Sequence, residues 1–234
     1  NVFRVCGRDD QQGAAVGAYL AKHFTGKNIA IIHDKTAFGR GQADEVKKSL
    51  NAAKIAEVIN DSINRGERDY SALISKLKQA RVEVLFYGGC HGEAGLLVRQ
   101  IHHQKLTIPM VSGDGLTTSE FWSITGEAGT GTLMAFNPDP RKNAEAKDAV
   151  AQIRATGFEP EGFTLQSYAA FEVLTQAIAK AGKTDGAAIA AAIRAEPVSS
   201  VLGTLRFDRK GDLENPRYTM YRWADGTYTE IEEK

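Results

Sequence analysis

The chain has 234 residues, of which 42% are hydrophobic and 25% are charged. This composition is typical of globular proteins, and the length is enough for one large domain or two small ones. Lysine plus arginine and aspartate plus glutamate number 29 each, so no excess positive charge attracts nucleic acid or an anionic membrane surface. We expect neither class of partner.

No apolar run approaches the roughly 18–20 residues that span a bilayer, so membrane insertion is not expected. The chain opens on Asn1-Val2-Phe3-Arg4, with neither a methionine nor an apolar leader, and we expect a processed or trimmed chain. Its two cysteines, Cys6 and Cys90, are too far apart to indicate a disulfide framework or a CxxC metal site. We expect Cys6 to be a small buried residue in an apolar strand.

Strand-like and helix-like segments alternate through the first half of the chain. The predicted strands are Asn28–His33, Glu57–Ile59, Val82–Tyr87 and Ile108–Val111. The predicted helices are Gly39–Ala53, Tyr70–Leu77 with Asp69 as its N-cap, and Glu93–Gln104. This alternation predicts right-handed crossovers and a parallel sheet, in one doubly wound α/β unit from Asp9 to about Gly131.

The second half has a different pattern, which begins after the punctuated linker Asn137–Pro140. Its predicted elements are helices Ala144–Thr156, Phe163–Gly182 and Asp185–Ala195, a strand Gly203–Phe207, and a hairpin of Tyr218–Trp223 and Tyr228–Ile231. The apolar helix Phe163–Gly182 needs a covering layer that no other segment of this half supplies. We therefore infer a second lobe whose sheet is mostly absent from the chain, and expect this helix to expose an apolar face.

The residues that could carry catalysis or bind a metal have unsuitable spacing. His91, Glu93, His102 and His103 do not share one face of a helix, so surface histidines are the expected interpretation. A thiol nucleophile at Cys90 beside His91 is disfavoured because adjacent side chains point apart. Phosphate-binding glycine loops and a GxSxG elbow are missing from the sequence. We predict no catalytic residue, metal or cofactor.

One pattern does indicate a binding site. The loops after successive parallel strands contain Phe38, Cys90 and Asp114. The carboxyl ends of the strands are where open α/β sheets bind ligands. Asp114 lies between Gly113 and Gly115, which allow close backbone approach, and its carboxylate suits a cation such as an ammonium group. A capping role for Asp114 on the next helix is the alternative.

Several segments, in this order, resemble a known family. They are Phe3–Gly13, Ala30–Gly39, Phe86–His91, Ser112–Gly115, Tyr168–Ala170, Leu202–Gly203 and Phe207–Asp212. Together they closely resemble the Leu/Ile/Val-binding proteins that feed ABC importers, and in particular the subgroup that takes small or neutral amino acids, including GABA. The resemblance extends over essentially the whole chain.

This resemblance implies a type I periplasmic-binding-protein fold, which is α/β with two doubly wound lobes joined by crossover hinges. Lobe one is incomplete in this chain, because the first βα units of the family have no counterpart. The implied domains are 1–8 as a hinge crossover, 9–134 as lobe two, 135–207 as the C-terminal part of lobe one, and 208–234 as the return crossover and the C-terminal hairpin on lobe two.

The resemblance also implies roles for five residues. Asp114 matches the acid that pairs with the ligand ammonium group, and Asp9 matches a cleft acid at the lobe boundary. Phe38 and Cys90 match two positions that are usually tyrosines closing over the ligand, and Phe163 matches a wall residue from lobe one. Cys90 departs from the pattern, because it lacks the ring and the hydroxyl group, and this leaves the side-chain specificity open.

The implied function is that of a non-enzymatic periplasmic receptor, monomeric when full length. It would close two lobes on a branched-chain or small neutral amino acid, such as GABA, and present it to an ABC permease in the membrane. One alternative is a ligand-sensing regulatory domain of the same fold. The other is a flavodoxin-like enzyme, which would need a nucleophile–base pair or a phosphate loop.

Overall fold

The computed structural model describes residues 1–232, which form two compact units. One contains Asp9–Phe136 and the segment that starts at Tyr218, and we call it the sheet unit. The other contains Asn1–Arg8 and Asn137–Arg217, and we call it the helical unit.

Helices and strands alternate along the chain until residue 136. The helices are α1 (Asp9–His23), α2 (Ala37–Ala52), α3 (Ser71–Gln79), α4 (His91–His103), α5 (Ser119–Thr125), α6 (Lys147–Ala155), α7 (Thr164–Ala181) and α8 (Gly186–Ala195). The strands are β1 (Ile29–His33), β2 (Ile59–Ser62), β3 (Val84–Gly88), β4 (Met110–Ser112), β5 (Leu133–Phe136), β6 (Val198–Ser200), β7 (Gly203–Leu205), β8 (Thr219–Ala224) and β9 (Thr227–Glu230).

The sheet unit contains one seven-stranded sheet in the order β2-β1-β3-β4-β5-β8-β9. The strands from β2 to β5 are parallel, and the C-terminal hairpin β8-β9 extends the sheet in antiparallel fashion beside β5. The turn of this hairpin is Asp225-Gly226, with φ of 51° and 80°, as the preferred two-residue hairpin turn requires. The predicted parallel α/β sheet is thus confirmed, and β5 is an additional strand that the sequence pattern did not indicate.

Helices cover both faces of this sheet. Ile29 and Ile31 of β1 pack with residues of α1 and α2, whereas Ala30 and Ile32 belong to the apolar cluster on the opposite face, with α3, α4 and α5. All four are completely buried, because a central strand with helices on both faces exposes neither side. Each large apolar side chain buried in this way stabilises the unit by about 1.5–3 kcal/mol.

Helix α2 shows why these residues form this element. Thr36 accepts a hydrogen bond from the backbone N–H of Gly39 at 2.9 Å and so caps the first turn. Ala43, Val46 and Leu50 follow at helical spacing and are buried against the sheet. The helix is therefore fixed at its start by a cap and along its length by one apolar stripe.

Several local predictions were wrong. Helix α3 begins at Ser71, and its N-cap position is occupied by Tyr70 and not by Asp69 as predicted. Asp69 lies one residue before the N-cap, and its carboxylate accepts from the Ser71 N–H at 2.9 Å. The second strand is Ile59–Ser62 and not Glu57–Ile59, because an edge strand tolerates the polar residues Asn60 and Asp61.

Cys6 does not lie in a strand, since residues 1–8 form neither helix nor strand, and it is half-buried. Neither of the two cysteines, both within the described residues, forms a disulfide bond.

The helical unit consists of α6, α7, α8 and the two-stranded β6-β7 ribbon. Val173 and Ala177 of α7 pack with Ile193 of α8 and with Val198 and Leu205 of the ribbon. The other side of α7 is exposed, as the sequence predicted: its large apolar residues there are Tyr168 (41% exposed), Phe171 (70%) and Leu174 (42%).

The turn that follows β7 is held within the helical unit. Asp212 pairs with the Arg4 guanidinium at 2.8 Å (Oδ1 to Nε) and with that of Arg8 at 3.0 Å (Oδ2 to Nη1). Residues 208–217 belong to the helical unit, and the chain enters the sheet unit at Tyr218. The return crossover from Asp208 and the other domain bounds stay predictions. The last two residues of the predicted C-terminal segment, Glu233 and Lys234, lie outside the described residues.

Within residues 1–232, the structure contains no helix with the length and hydrophobicity needed to cross a membrane.

Candidate functional site

Three of the predicted site residues lie at one edge of the sheet. Phe38 is in the first turn of α2 after β1, Cys90 is the N-cap of α4 after β3, and Asp114 begins a short 3-10 turn after β4. Because β1, β3 and β4 are adjacent and parallel, their carboxyl ends meet at the same edge. The structure therefore brings together the three loops that the sequence singled out, and their contact with a ligand stays a prediction.

Glycine residues let these loops pack backbone against backbone. A methyl group added to Gly39 would overlap the carbonyl oxygen of Gly88 and the carboxylate of Asp34. One added to Gly115 would overlap the carbonyl oxygen of Gly89. The backbones of the three loops are thus in direct contact, and only glycine fits at positions 39 and 115.

Asp114 does not cap the helix that follows it. Thr118 is the N-cap of α5, and its side chain accepts a hydrogen bond from the Glu120 N–H at 3.3 Å. The Asp114 carbonyl oxygen accepts from the Thr117 hydroxyl group at 2.7 Å, which closes the turn. The capping alternative for Asp114 is therefore wrong, and its side chain is left for another role.

Two buried glutamines contact the Asp114 loop, and sequence reasoning missed both. Gln12 of α1 and Gln42 of α2 are each 1% exposed. Gln12 Oε1 accepts from Gln42 Nε2 and, at 3.4 Å, from the backbone N–H of Asp114. Gln12 Nε2 donates to the carbonyl oxygen of Ala135 in β5 at 3.1 Å. Polar residues on amphipathic helices usually face solvent, but Gln42 falls on the same inward stripe as Gly39 and Val46, and this was the available signal.

The Asp114 carboxyl group has a perturbed proton affinity. Burial and, to a smaller extent, the negative charge of Asp9 raise its pKa to about 7, against the opposing effect of the Gln12 and Gln42 side chains. A carboxyl group that titrates near neutral pH at the ligand edge of an α/β sheet is typical of a functional site.

The other two predicted residues differ in position. Asp9 begins α1 in the sheet unit, is exposed, and its charge raises the pKa of Asp114. Phe163 belongs to the helical unit, where it precedes α7 and is 40% exposed. The structure does not test the ligand contact of either residue.

A second buried acid lies at the same edge. Asp34 is 2% exposed, and its Oδ1 atom accepts from the Thr36 N–H at 3.0 Å and from the Thr36 hydroxyl group at 2.6 Å. Its Oδ2 atom and the hydroxyl group of Tyr87 are buried without a hydrogen-bond partner among the described residues. Burial and the charge of Asp34 raise the pKa of Tyr87 far above its usual range. Asp34 directly follows β1, so its place at this edge could have been recognised from the sequence.

The Cys90 thiol is not activated as a nucleophile. Burial and the charge of Asp34 raise the pKa of Cys90, so the thiol is neutral at physiological pH. The neighbouring imidazole of His91 contacts Glu120, with 2.7 Å between Nε2 and Oε2. In the part of the chain that the structure describes, no cluster of histidine, cysteine and acidic side chains is arranged to hold a metal ion. The site has the character of a binding surface.

Comparisons with known proteins agree with this geometry. The family model described as "Periplasmic binding protein" matches residues 1–227. A Leu/Ile/Val-binding protein homolog from Brucella suis is 49% identical, with 100% of this chain and 64% of the relative covered. An amino acid binding protein from Pseudomonas aeruginosa is 42% identical, with 98% of this chain and 62% of the relative covered. The solved structure of a leucine-binding protein from Thermotoga maritima has a TM-score of 0.89 and 25% identity, and the match covers 99% of this chain and 67% of that one.

The chain thus spans about 64% of the length of the first of these curated relatives. The matched family and the relatives are binding proteins and not enzymes, as the sequence predicted. Because the family match extends over nearly all of its residues, this chain belongs to the periplasmic binding protein family and has its type I α/β fold.

Proposed function

We propose that this chain is part of a periplasmic receptor that binds an amino acid and delivers it to an ABC permease in the membrane. The names of its relatives support this class of ligand, since they include Leu/Ile/Val-binding and amino acid binding proteins. Branched-chain amino acids and small neutral ones, including GABA, are the proposed ligands.

The observation that carries the proposal is the position of Asp114. Its carboxyl group lies at the carboxyl edge of a parallel sheet, in a turn between Gly113 and Gly115, and it does not cap a helix. A ligand ammonium group would supply the counter-charge that a half-buried carboxylate needs, in a site where water competes weakly. The ammonium charge would also lower the pKa of Asp114 from about 7, so that the ion pair forms at neutral pH.

Phe38 and Cys90 are proposed to contact the rest of the ligand. Phe38 offers an apolar ring at the start of α2, and Cys90 offers a small neutral thiol at the start of α4. Neither side chain provides a charge, so the surroundings favour a ligand whose side chain is uncharged. The absence of a ring at Cys90 leaves more space than a tyrosine would.

We also propose that the sheet unit corresponds to lobe two of the family and the helical unit to the C-terminal part of lobe one. Asp9 would then be the acid at the start of lobe two, and Phe163 would be the wall residue contributed by lobe one. The division of the chain at Asp9, Asn137 and Tyr218 supports this assignment.

The proposal is tested by calorimetric titration of the full-length protein with the twenty amino acids and GABA. For the ligand that binds most tightly, Asp114→Ala should weaken binding by about 2–5 kcal/mol, or roughly thirty- to several-thousand-fold, because a buried ammonium loses its counter-charge. Asp148→Ala, which removes an exposed carboxylate of α6, is the matched control and should bind normally. An Asp114→Ala protein that binds with unchanged affinity would remove Asp114 from the site.

The proposed partner is tested separately. A receptor of this class should co-purify with a membrane permease in the presence of ligand, after mild cross-linking. Recovery of a transcriptional or signalling regulator instead would favour the sensor alternative for the same fold.

A further inference from the structure

We propose that Gln12 and Gln42 are positioning residues for Asp114: their paired side-chain amides fix the loop that carries this carboxyl group and favour its anion. The inference rests on the proposed function, because only a ligand with an ammonium group requires Asp114 as an anion. It adds to the candidate site two residues that lie within helices, Gln12 on α1 and Gln42 on α2, and that act without contacting the ligand.

The two amides connect four elements, namely α1, α2, the turn after β4, and β5. Gln12 Oε1 accepts from Gln42 of α2 and from the Asp114 backbone after β4, while Gln12 Nε2 is bound to Ala135 of β5. Both side chains are essentially inaccessible to solvent. A change in either amide is therefore transmitted to the backbone of Asp114 and not absorbed by water.

Gly113 shows how closely the pair is packed against the loop. A Cβ atom added to Gly113 would lie 2.5 Å from Gln12 Oε1 and 2.5 Å from Gln42 Nε2. Any residue with a side chain would force the amides apart. Gly113 therefore lets the amide pair lie directly against the loop.

The charges around Asp114 oppose its ionisation, and the amides favour it. Asp9, at the start of α1, adds a negative charge, and the charge of Asp114 in turn contributes to the raised pKa of Cys90 at the start of α4. The side-chain amides of Gln12 and Gln42, packed against the Asp114 turn, lower the pKa of Asp114 and so favour its anion. Three further charged groups act on the nearby Cys90 thiol: Asp34 and Glu93 raise its pKa, and Arg65 lowers it.

Gln42 lowers the stability of the fold, which indicates that it has another role. Its Oε1 atom is buried without a hydrogen-bond partner among residues 1–232, and such an atom opposes folding. The neighbouring inward positions of α2 are Gly39, Ala43 and Val46, so a leucine at position 42 would suit this stripe. The amide is explained by its nitrogen, which donates to Gln12 Oε1, the atom that also accepts from the Asp114 backbone.

The test follows the Asp114 carboxyl carbon by 13C NMR during a pH titration of the ligand-free, full-length protein. In the unsubstituted protein the midpoint should lie near pH 7. Gln42→Leu should raise it by about one unit, because the anion loses a donor while its burial is unchanged. Gln79→Leu, which replaces an exposed glutamine of α3, is the matched control and should leave the midpoint unchanged.

Binding should follow the titration. If ligand binds only the ionised form, a rise of one unit lowers the ionised fraction at pH 7 from about one half to about one tenth. The apparent affinity then falls about fivefold at pH 7 and hardly at all at pH 9. Gln42→Met serves as a second variant of similar size if the leucine protein does not fold.

The outcomes separate this inference from the proposed function. An unchanged Asp114 midpoint in both Gln42 variants overturns the inference, whatever happens to binding. An affinity loss that is equal at pH 7 and pH 9 indicates a structural role only and also overturns it. A raised midpoint in a protein that binds no amino acid overturns the proposed function and leaves the role of the amides standing.

Discussion

The two units contain the same kind of amphipathic helix in different surroundings. Val46 and Leu50 of α2 are fully buried, because α2 lies on a seven-stranded sheet. Phe171 and Leu174 of α7 remain 70% and 42% exposed, because the helical unit has only a two-stranded ribbon. The comparison teaches that an apolar stripe on a helix predicts a surface that must be covered. Whether it is covered depends on the other elements of the same unit.

The sharpest test compares one phenylalanine from each unit. Phe86 of β3 is completely buried, so Phe86→Ala should lower the free energy of unfolding by about 3–5 kcal/mol through lost burial and a cavity. Phe171→Ala removes a ring that is already exposed and should change it by about 0.5 kcal/mol or less. Urea denaturation of this 234-residue chain measures both. Equal losses would show that the exposed face of α7 is covered in solution.

Asp114 should make the sheet unit less stable as the pH rises. Its pKa is raised from 3.8 to about 7, so the folded unit binds this proton more tightly than the unfolded chain does. The resulting stability is present below about pH 4 and is lost as the pH rises through about 7. Asp114→Asn should therefore raise the free energy of unfolding at pH 8, on the order of 2–4 kcal/mol, and change it little at pH 4.

Hydrogen exchange of amides in β3 and β4, at pH 4 and pH 8, reports this effect for the sheet unit alone. A variant that is destabilised at both pH values would contradict it. If Asp114→Asn is more stable but binds ligand weakly, Asp114 is a functional acid that lowers the stability of the fold.

The helical unit should show the opposite pH dependence, with a smaller magnitude. Arg154 holds the pKa of Glu159 down to about 2, helped by Arg141, through contacts of 2.7 Å and 2.8 Å. This stability is present above about pH 4.5 and is lost as the pH falls through about 2. Because Glu159 is 46% exposed, solvent screening limits the effect, and Glu159→Gln should cost about 1 kcal/mol or less at pH 6.

Hydrogen exchange of the amides of α6 measures this loss. Glu145→Gln, which changes an exposed acid in the 3-10 turn just before this helix, is the control and should have no effect. A stability difference that persists unchanged at pH 2 would show that the ion pairs are not its source.

The sequence was sufficient for the strongly patterned parts of the sheet unit. The run Ile29–His33 is apolar because β1 is buried on both faces, and that pattern has few other interpretations. It was insufficient for β2, whose polar residues reflect an edge position that only the sheet order reveals. It was also insufficient for β5, a run of only four residues, Leu133–Phe136, just before a linker.

The candidate site could be predicted only in part, for a related reason. Phe38, Cys90 and Asp114 were accessible to sequence reasoning because each follows a strand, and the edge of a parallel sheet is common to all strands. Gln12 and Gln42 were not, because their role depends on two helices packing against the sheet from the same side. The inward stripe of α2 marks position 42 as buried, but the pairing of the two amides is a tertiary feature.

The contact between Gly39 and Gly88 limits how this site could be altered. Since neither residue can carry a side chain without overlapping the other's backbone, the start of α2 and the end of β3 form one rigid unit. Insertions or loop grafts in this region would separate two backbones that touch. To change the ligand of such a receptor, side chains would therefore have to be replaced without moving the backbone. Positions 38 and 90 are the ones to vary, because the backbone at a helix start accepts other residues.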